Sequence, residues 1–147
     1  MLKLPGGKTL FNRLIGFAAP YTGSIKPHVR TLEPGHAVIE IRDTRAVRNH
    51  LGSIHAIALA NIGEATTGMA MTAGLVDGAR VILKRLSIDY LIKARGTLTA
   101  ECRVDVPQDR ERREVIAEAI IRDDKDQEVA RVEAVWLMGP CRGKSSS

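Results

Sequence analysis

The fold is decided by residues 49–67, which read NHLGSIHAIALANIGEATT. A short polar stretch leads into an almost entirely apolar run, and one carboxylate, Glu64, lies inside that run. Burying a carboxylate away from water costs several kcal/mol unless the group is paired or used. We therefore interpret this segment as a packed helix that carries a functional acid.

The helix is predicted to run from Ser53 to Thr72, with Ser53 as its N-cap and Gly74 as its stop signal. Alanine and glycine are frequent along it, so a sheet can approach closely. At ~100° per residue, its polar side chains do not gather into one stripe. The pattern predicts a helix that is wrapped on nearly all sides.

Strand patterns flank this helix on both sides. Residues alternate between apolar and polar over several segments, which indicates antiparallel strands with one buried face. These segments are Val29–Glu33 and Ala37–Arg42 before the helix, and Leu86–Tyr90, Thr97–Val106, Val115–Ile121 and Ala130–Met138 after it. A short amphipathic helix is predicted from about Lys8 to Ala19. With no second long helix after the strands begin, a ferredoxin-like arrangement is excluded.

We therefore expect an α+β hotdog fold, in which an antiparallel sheet wraps around one long central helix. At 147 residues the chain is long enough for one domain, predicted over residues 1–140, with a disordered tail at 141–147. Its formal charge of +5 favours an anionic partner, but the basic residues are scattered among acids rather than forming a nucleic-acid surface. No apolar run reaches the ~18 residues of a membrane span. The two cysteines have no metal or redox spacing, so we expect no metal site and a cytoplasmic location.

The joint spacing of Asn49, Gly52, His55 and Glu64 resembles the signature of hotdog thioesterases of the phenylacetic-acid-pathway (PaaI-like) type, in particular their DUF4442-like branch. The segment IDYLIKARGTLTAE, residues 88–101, resembles the next strand pair of that family. The resemblance covers roughly residues 8–140. Two departures stand out: the family's His-Gly-Gly is His55-Ala56-Ile57 here, and Lys93 replaces a usual proline.

The resemblance implies an acyl-CoA thioesterase, with CoA as part of the substrate and no separate cofactor. Glu64 would be the general base or the nucleophile, and the N–H of Ala56 or Ile57 would stabilise the oxyanion. Asn49 would hold the water or the carboxylate, and His55 would orient the loop. Taken singly, His55 is equally a helix cap and Asn49 a turn residue. The resemblance also implies that the CoA phosphates would contact a set of basic residues: Arg80, Lys84, Arg85, Lys93 and Arg95. Ordinary solubilising surface charge explains these residues equally well.

His55 and Glu64 are nine residues apart, which places them ~13 Å apart along the helix and on opposite faces. One chain cannot bring both to one carbonyl, so we expect a homodimer, possibly paired into a homotetramer. The acyl pocket is predicted to be apolar, with walls from Ile57, Leu59, Ile62, Met69 and Met71. The loss of both glycines leaves open a non-catalytic acyl-ligand-binding or regulatory protein. A hydratase is disfavoured because its Asp/His arrangement is missing.

Overall fold

The computed structural model describes residues 19–143, so the predicted helix at Lys8–Ala19 and most of the predicted tail lie outside the described residues. Two helices and six strands occur in chain order, with a 3₁₀ turn at Arg45–Val47. The helices are α1 (Pro20–Gly23) and α2 (Ala56–Gly74). The strands are β1 (His28–Glu33), β2 (His36–Ile41), β3 (Ala79–Tyr90), β4 (Leu98–Arg103), β5 (Arg113–Arg122) and β6 (Glu128–Pro140).

The six strands form one antiparallel sheet in the order β1-β2-β4-β5-β6-β3. Helix α2 packs against every strand of this sheet, and the core lies between them. The predicted hotdog fold is therefore confirmed. Among the helices of residues 19–143, none is both long and apolar enough to span a membrane.

Helix α2 begins three residues later than predicted, because His55 and not Ser53 is its N-cap. The Ser53 hydroxyl donates instead to Asn49 Oδ1 at 3.2 Å, which leaves it unable to cap the helix. At the other end, α2 includes Gly74 and Leu75 is the C-cap, so the predicted end at Thr72 is two residues short.

The glycines of α2 are explained by the close approach of β6. A Cβ atom built on Gly63 would lie inside contact distance of the Val132 side chain, 2.9 Å from its Cβ. At Gly68 it would lie 2.9 Å from the Trp136 ring. These separations are shorter than carbon atoms tolerate, so glycine at both positions sets the distance between helix and sheet.

Strand β3 is longer than the predicted segment Leu86–Tyr90, because a β-bulge hides its first half. The register against β6 shifts between Leu83 and Arg85. Before the bulge Val81 and Leu83 pack against the core, and after it Leu86 and Ile88 do so. The alternation therefore changes phase by one residue, as a bulge requires. Strand β4 is shorter than predicted and ends at Arg103.

One strip of α2 is not covered by the sheet, which corrects the expectation of nearly complete wrapping. Ile57 and Thr72 on this strip are exposed, Ala60 and Glu64 between them are half-buried, and Gly68 lies at its border, where the Trp136 ring of β6 covers it in part. Their spacing of three or four residues places them on one helical face. Strand β3 also has one edge that no described strand pairs with. The strip and this edge, together with the outer edge of β1, are not paired by any described strand and are open to a partner or a ligand.

Candidate functional site

The first turn of α2 leaves one backbone amide available. The Ile57 N–H donates to His55 Nδ1 at 3.0 Å, and the N–H groups of Ala58 and Leu59 donate to the His55 carbonyl. Among the described residues, Ala56 N–H has no hydrogen-bond partner. Free amides at a helix start form an anion-binding position. Of the two predicted oxyanion donors, Ala56 therefore has a free N–H within residues 19–143 and Ile57 does not, and the role itself remains a prediction.

His55 acts here through its ring as a cap. Because Nδ1 accepts a hydrogen bond from Ile57, the ring proton of the neutral form is on Nε2. The ring is exposed, and its Nε2–H is directed to no described residue. The ring therefore caps the first turn of α2, and its orienting role in a reaction remains a prediction.

Tyr90 fixes the same turn from the opposite side. Its hydroxyl, at the end of β3, donates to the Ala56 carbonyl at 2.9 Å. The peptide group between Ala56 and Ile57 is therefore held at its oxygen by Tyr90 and at its nitrogen by His55. Such bracing keeps the neighbouring Ala56 N–H in one orientation.

Asn49 organises the loop that precedes the helix. Its Oδ1 accepts from Leu51 N at 2.9 Å, from Ser53 N at 3.2 Å and from Ser53 Oγ at 3.2 Å. This is the turn-forming role of an asparagine. The carboxamide oxygen is fully used, so only its NH₂ group remains for the predicted contact with water or a carboxylate.

The loop is tied to the segment after β3 by Asp43. One carboxylate oxygen accepts from Arg48 Nε at 2.6 Å, and the other accepts from Gly96 N at 2.8 Å. Burial works against ionisation of Asp43, but the Arg48 and Gly96 hydrogen bonds hold its pKa below the ordinary value. Ile54 N also donates to Ala94 O at 2.8 Å, so the loop and the residues after β3 form one platform beneath the helix start.

Glu64 is a half-buried carboxylate on the uncovered strip of α2. Within residues 19–143 it makes no side-chain hydrogen bond or ion pair. Burial raises the pKa of Glu64 above its ordinary value. A carboxylate with a raised pKa and no structural partner suits proton transfer at moderate pH.

Ala56 and Glu64 lie eight residues apart on α2, or ~12 Å along its axis. A single chain therefore does not bring the free amide and the free carboxylate to one atom, as the sequence spacing predicts. Any reaction that uses both groups requires them from two copies of the helix.

Most of the predicted acyl-pocket residues are core residues instead. Leu59, Ile62 and Met71 are buried between helix and sheet, and Met69 is half-buried against the same core. Ile57 is 52% exposed at the start of α2 and is free to contact a ligand. Of the five predicted wall residues, Ile57 is the most accessible to a ligand, and its role in an acyl pocket remains a prediction. The other side chains point inward because α2 packs on three sides.

The predicted basic set is spread along β3 and the segment that follows it. Lys93 and Arg95 are exposed and flank Ala94, beside the helix start. Arg80 lies ten residues before Tyr90, or about 33 Å along the strand. Lys84 forms an ion pair with Glu114. Arg85, like Lys84, lies on the surface at the bulge. Only Lys93 and Arg95 are near the Ala56 amide of the same chain.

Other reactive groups do not form a second centre. Burial, with Glu101 and Glu118 nearby, raises the pKa of the Cys102 thiol to about 12, so this cysteine is not a nucleophile. No group of three or more His, Cys, Asp or Glu side chains suited to a metal ion occurs among residues 19–143.

A cavity of about 530 Å³ lies away from α2, on the outer face of β4 and β5. Two of its carboxylates are paired, with Arg103 at 3.1 Å from Glu101 and Arg122 at 3.9 Å from Asp126, and the lining as a whole has more acidic than basic side chains. We do not assign the chemistry to it.

Two residues of this site, Tyr90 and Asp43, are missing from the sequence analysis. Tyr90 offered a signal, since it is one of very few aromatic residues and ends a strand on its core-facing alternation. Asp43 offered none beyond its place in a loop.

Comparison with known proteins agrees with this architecture. The model of the family described as Domain of unknown function (DUF4442) matches residues 7–138. A structural-genomics crystal structure is 31% identical, with a TM-score of 0.83 over 91% of this chain and 90% of that chain. No curated protein matches the chain significantly.

More distant structures share the hotdog fold. A Pseudomonas aeruginosa protein of unknown function, described as a probable thioesterase, is 21% identical, with a TM-score of 0.80 over 94% of this chain and 97% of that chain. A variant of a thioesterase enzyme from Staphylococcus aureus is 17% identical, with a TM-score of 0.73 over 83% of this chain and 100% of that one.

Proposed function

The chain belongs to the DUF4442 family and has the hotdog fold, and from this premise we propose that it is an acyl-CoA thioesterase. One observation carries the proposal: α2 presents an unpartnered amide at Ala56 and, on its uncovered strip, the half-buried carboxylate of Glu64, which has no partner among residues 19–143. Thioester hydrolysis needs these two groups, a donor for the oxyanion and a base for water.

The active unit we propose is a homodimer. Two features support it: the unpaired edge of β3, which offers backbone groups to a second copy, and the uncovered strip of α2, whose small residues permit close helix approach. With two helices antiparallel about a two-fold axis, each Ala56 amide comes close to the Glu64 of the other protomer. The dimer then has two equivalent sites.

The proposed reaction uses Glu64 as general base. The carboxylate takes a proton from water as the water oxygen attacks the thioester carbonyl carbon. Negative charge develops on the carbonyl oxygen, where the Ala56 N–H of the other protomer donates to it. Collapse of the intermediate breaks the carbon–sulfur bond, and the CoA thiolate recovers the proton from Glu64. The NH₂ group of Asn49 is available to hold the attacking water.

The CoA moiety is assigned to the exposed basic residues at the ends of β3. Lys93 and Arg95 lie beside the helix start, and Lys84 is held by Glu114. In an antiparallel pair of β3 strands, the Arg80 end of one strand lies beside the Tyr90 end of the other. Arg80 and Arg85 of one protomer would then join Lys93 and Arg95 of the other around the phosphates.

A free-thiol release assay with purified protein over a panel of acyl-CoA thioesters tests the proposal. We expect turnover that Glu64→Gln reduces by ~10²–10⁴-fold, the usual contribution of a general base. Leu91→Ala, at an exposed residue outside the proposed machinery, is the matched control and is expected to retain activity.

The alternative, a non-catalytic acyl-ligand binder, is favoured by the exposed Ile57 side chain beside the free amide. It predicts ligand-dependent increases in Tm without thiol release. That result, or activity in Glu64→Gln within a factor of about two of the wild type, would contradict the proposed role of Glu64.

A further inference from the structure

A cavity of about 350 Å³ adjoins the start of α2, on the side where α1 and the 3₁₀ turn meet the helix. This volume is within the range of small-ligand pockets. Its walls include the apolar side chains of Ile25, Val47, Ile57 and Ala58. His55, the cap of the candidate site, lies at its rim.

Asn61 lines this cavity and is only 7% exposed. Its NH₂ group donates to the Tyr21 carbonyl at 3.2 Å, which fixes the orientation of the amide. Its oxygen, Oδ1, accepts no hydrogen bond from any residue in the described range. Every fully buried side-chain nitrogen or oxygen there does have a partner. Oδ1 is therefore reached by solvent, and the cavity that Asn61 lines is the route.

Several of the other polar atoms around this cavity already have partners. Arg48 is bound to Asp43 at 2.6 Å, His55 Nδ1 accepts from Ile57, and the Ser24 hydroxyl donates to the Tyr21 carbonyl at 2.5 Å. Asn61 Oδ1 remains as an acceptor without a protein donor among residues 19–143, in a cavity whose walls are in part apolar. An apolar chain that displaced solvent from Oδ1 would leave this acceptor without a donor, which is costly, whereas a ligand hydroxyl would replace the lost hydrogen bond, so a ligand that supplies a donor gains selectivity.

We propose that this cavity is the acyl subsite and that it selects linear acyl groups with a neutral hydrogen-bond donor, such as a hydroxyl, at the far end. The proposal rests on the proposed thioesterase function and adds the substrate class. Asn61 lies five residues beyond Ala56, or ~7.5 Å along α2, so the donor belongs on a chain of about that reach. An ammonium group is disfavoured because Arg48 lines the same cavity, and a carboxylate offers no donor to Oδ1.

The test measures binding by calorimetry with non-hydrolysable thioether analogues of hexanoyl-CoA, 6-hydroxyhexanoyl-CoA and the six-carbon ω-carboxyacyl-CoA. We expect the wild type to bind the hydroxyl analogue about three- to tenfold more tightly than either of the others. Asn61→Leu removes the acceptor and is expected to abolish or reverse this preference. Ser24→Ala removes a different donor to the same Tyr21 carbonyl, and this variant is expected to retain the preference for the hydroxyl analogue.

Equal binding of the hydroxyl and methyl analogues by the wild type overturns the subsite, whether or not the variants fold. A hydroxyl preference that persists in Asn61→Leu, or in Asn61→Ala if the leucine variant unfolds, also overturns it. Because the analogues are not hydrolysed, the outcome is separate from the thiol-release assay. Hydroxyl-selective binding without turnover would retain the subsite and reject the thioesterase. Turnover without hydroxyl-selective binding would retain the thioesterase function and reject the subsite.

Discussion

Tyr90 and Ala56 are linked by a hydrogen bond of 2.9 Å between the end of β3 and the first residue of α2, across 34 positions of sequence. The bond ties the sheet to the turn that carries the free Ala56 amide. In a hydrolase of the proposed kind, an oxyanion donor works best when its direction is fixed before the substrate arrives.

Tyr90→Phe removes this bond and keeps the ring. We expect kcat to fall by about three- to tenfold, with KM for acyl-CoA nearly unchanged, because the loss affects the developing oxyanion more than the bound ground state. Steady-state kinetics measures both constants. Tyr21→Phe is the matched control, since that ring is mainly exposed and is placed in no catalytic role. A change confined to KM, or an equal loss in both variants, would contradict a positioning role for Tyr90.

Glu64 is expected to make the folded protein less stable at neutral pH. Burial raises its pKa above the ordinary value of 4.5, so ionisation is more costly in the folded state than in the unfolded state. Well below pH 4.5, Glu64 is neutral in both the folded and the unfolded state and does not change the free energy of unfolding. The cost appears as pH rises through the folded pKa. Glu64→Gln should therefore raise Tm at pH 7, and the gain should vanish at acid pH.

The control for this experiment is Glu114→Gln. The Lys84 hydrogen bond and charge lower the pKa of Glu114, so its stabilising contribution is present at neutral pH and is lost as pH falls. This variant should not raise Tm at pH 7. Melting curves across pH decide the matter, and a Glu64→Gln gain that is independent of pH would refute the burial argument. In the wild type, kcat/KM should also fall at acid pH as Glu64 is protonated, and the pH at the midpoint of this fall should be above 4.5.

Gly63→Ala tests the close packing of helix and sheet. Alanine is the better helix former, by up to ~1 kcal/mol in an exposed helix. Here the added Cβ meets Val132, so we expect a net loss of about 1–3 kcal/mol in the free energy of unfolding. Gly139→Ala in β6 is the control, because its nearest neighbours would be 3.9–4.0 Å away. Chemical denaturation measures both, and a stabilised Gly63→Ala would show that the two layers are less tightly packed.

The sequence predicts the fold well because periodicity alone identifies the central helix and the strands that cover it. It fails where local signals compete. Ser53 is a good N-cap by residue type, but Asn49 holds its hydroxyl and His55 caps the helix instead. The bulge beside Lys84 changes the phase of β3, so the pattern before Leu86 does not continue the alternation that follows.

The candidate site is predictable only in part. The spacing of His55 and Glu64 predicts that both belong to one site and that two chains contribute to it, and both statements remain proposals. That Ile57 N–H is used by His55, leaving Ala56, depends on the geometry of the cap. The Tyr90 bond joins distant segments and has no local signature. The inward direction of Leu59, Ile62 and Met71 depends on which faces of α2 the sheet covers.

The central claim is that each site takes its amide from one protomer and Glu64 from the other, and complementation between two inactive variants tests it most directly. Ala56→Pro deletes the free N–H without breaking another described hydrogen bond, since proline is tolerated at the first helical position. His55 already has φ −61° and ψ 138°, the extended conformation favoured before proline. Ala56→Gly retains the N–H and is the control.

Heterodimers of Ala56→Pro and Glu64→Gln, purified through two different tags, are assayed for thiol release beside both parent homodimers. One site of the mixed dimer carries both lesions and the other carries neither. We predict about half of the wild-type activity per heterodimer, because one of its two sites is intact. Random mixing makes about half of all dimers mixed, so the unpurified mixture should have ~25% of the wild-type activity. Mixed dimers that remain inactive while both parents are folded and dimeric would contradict the shared site.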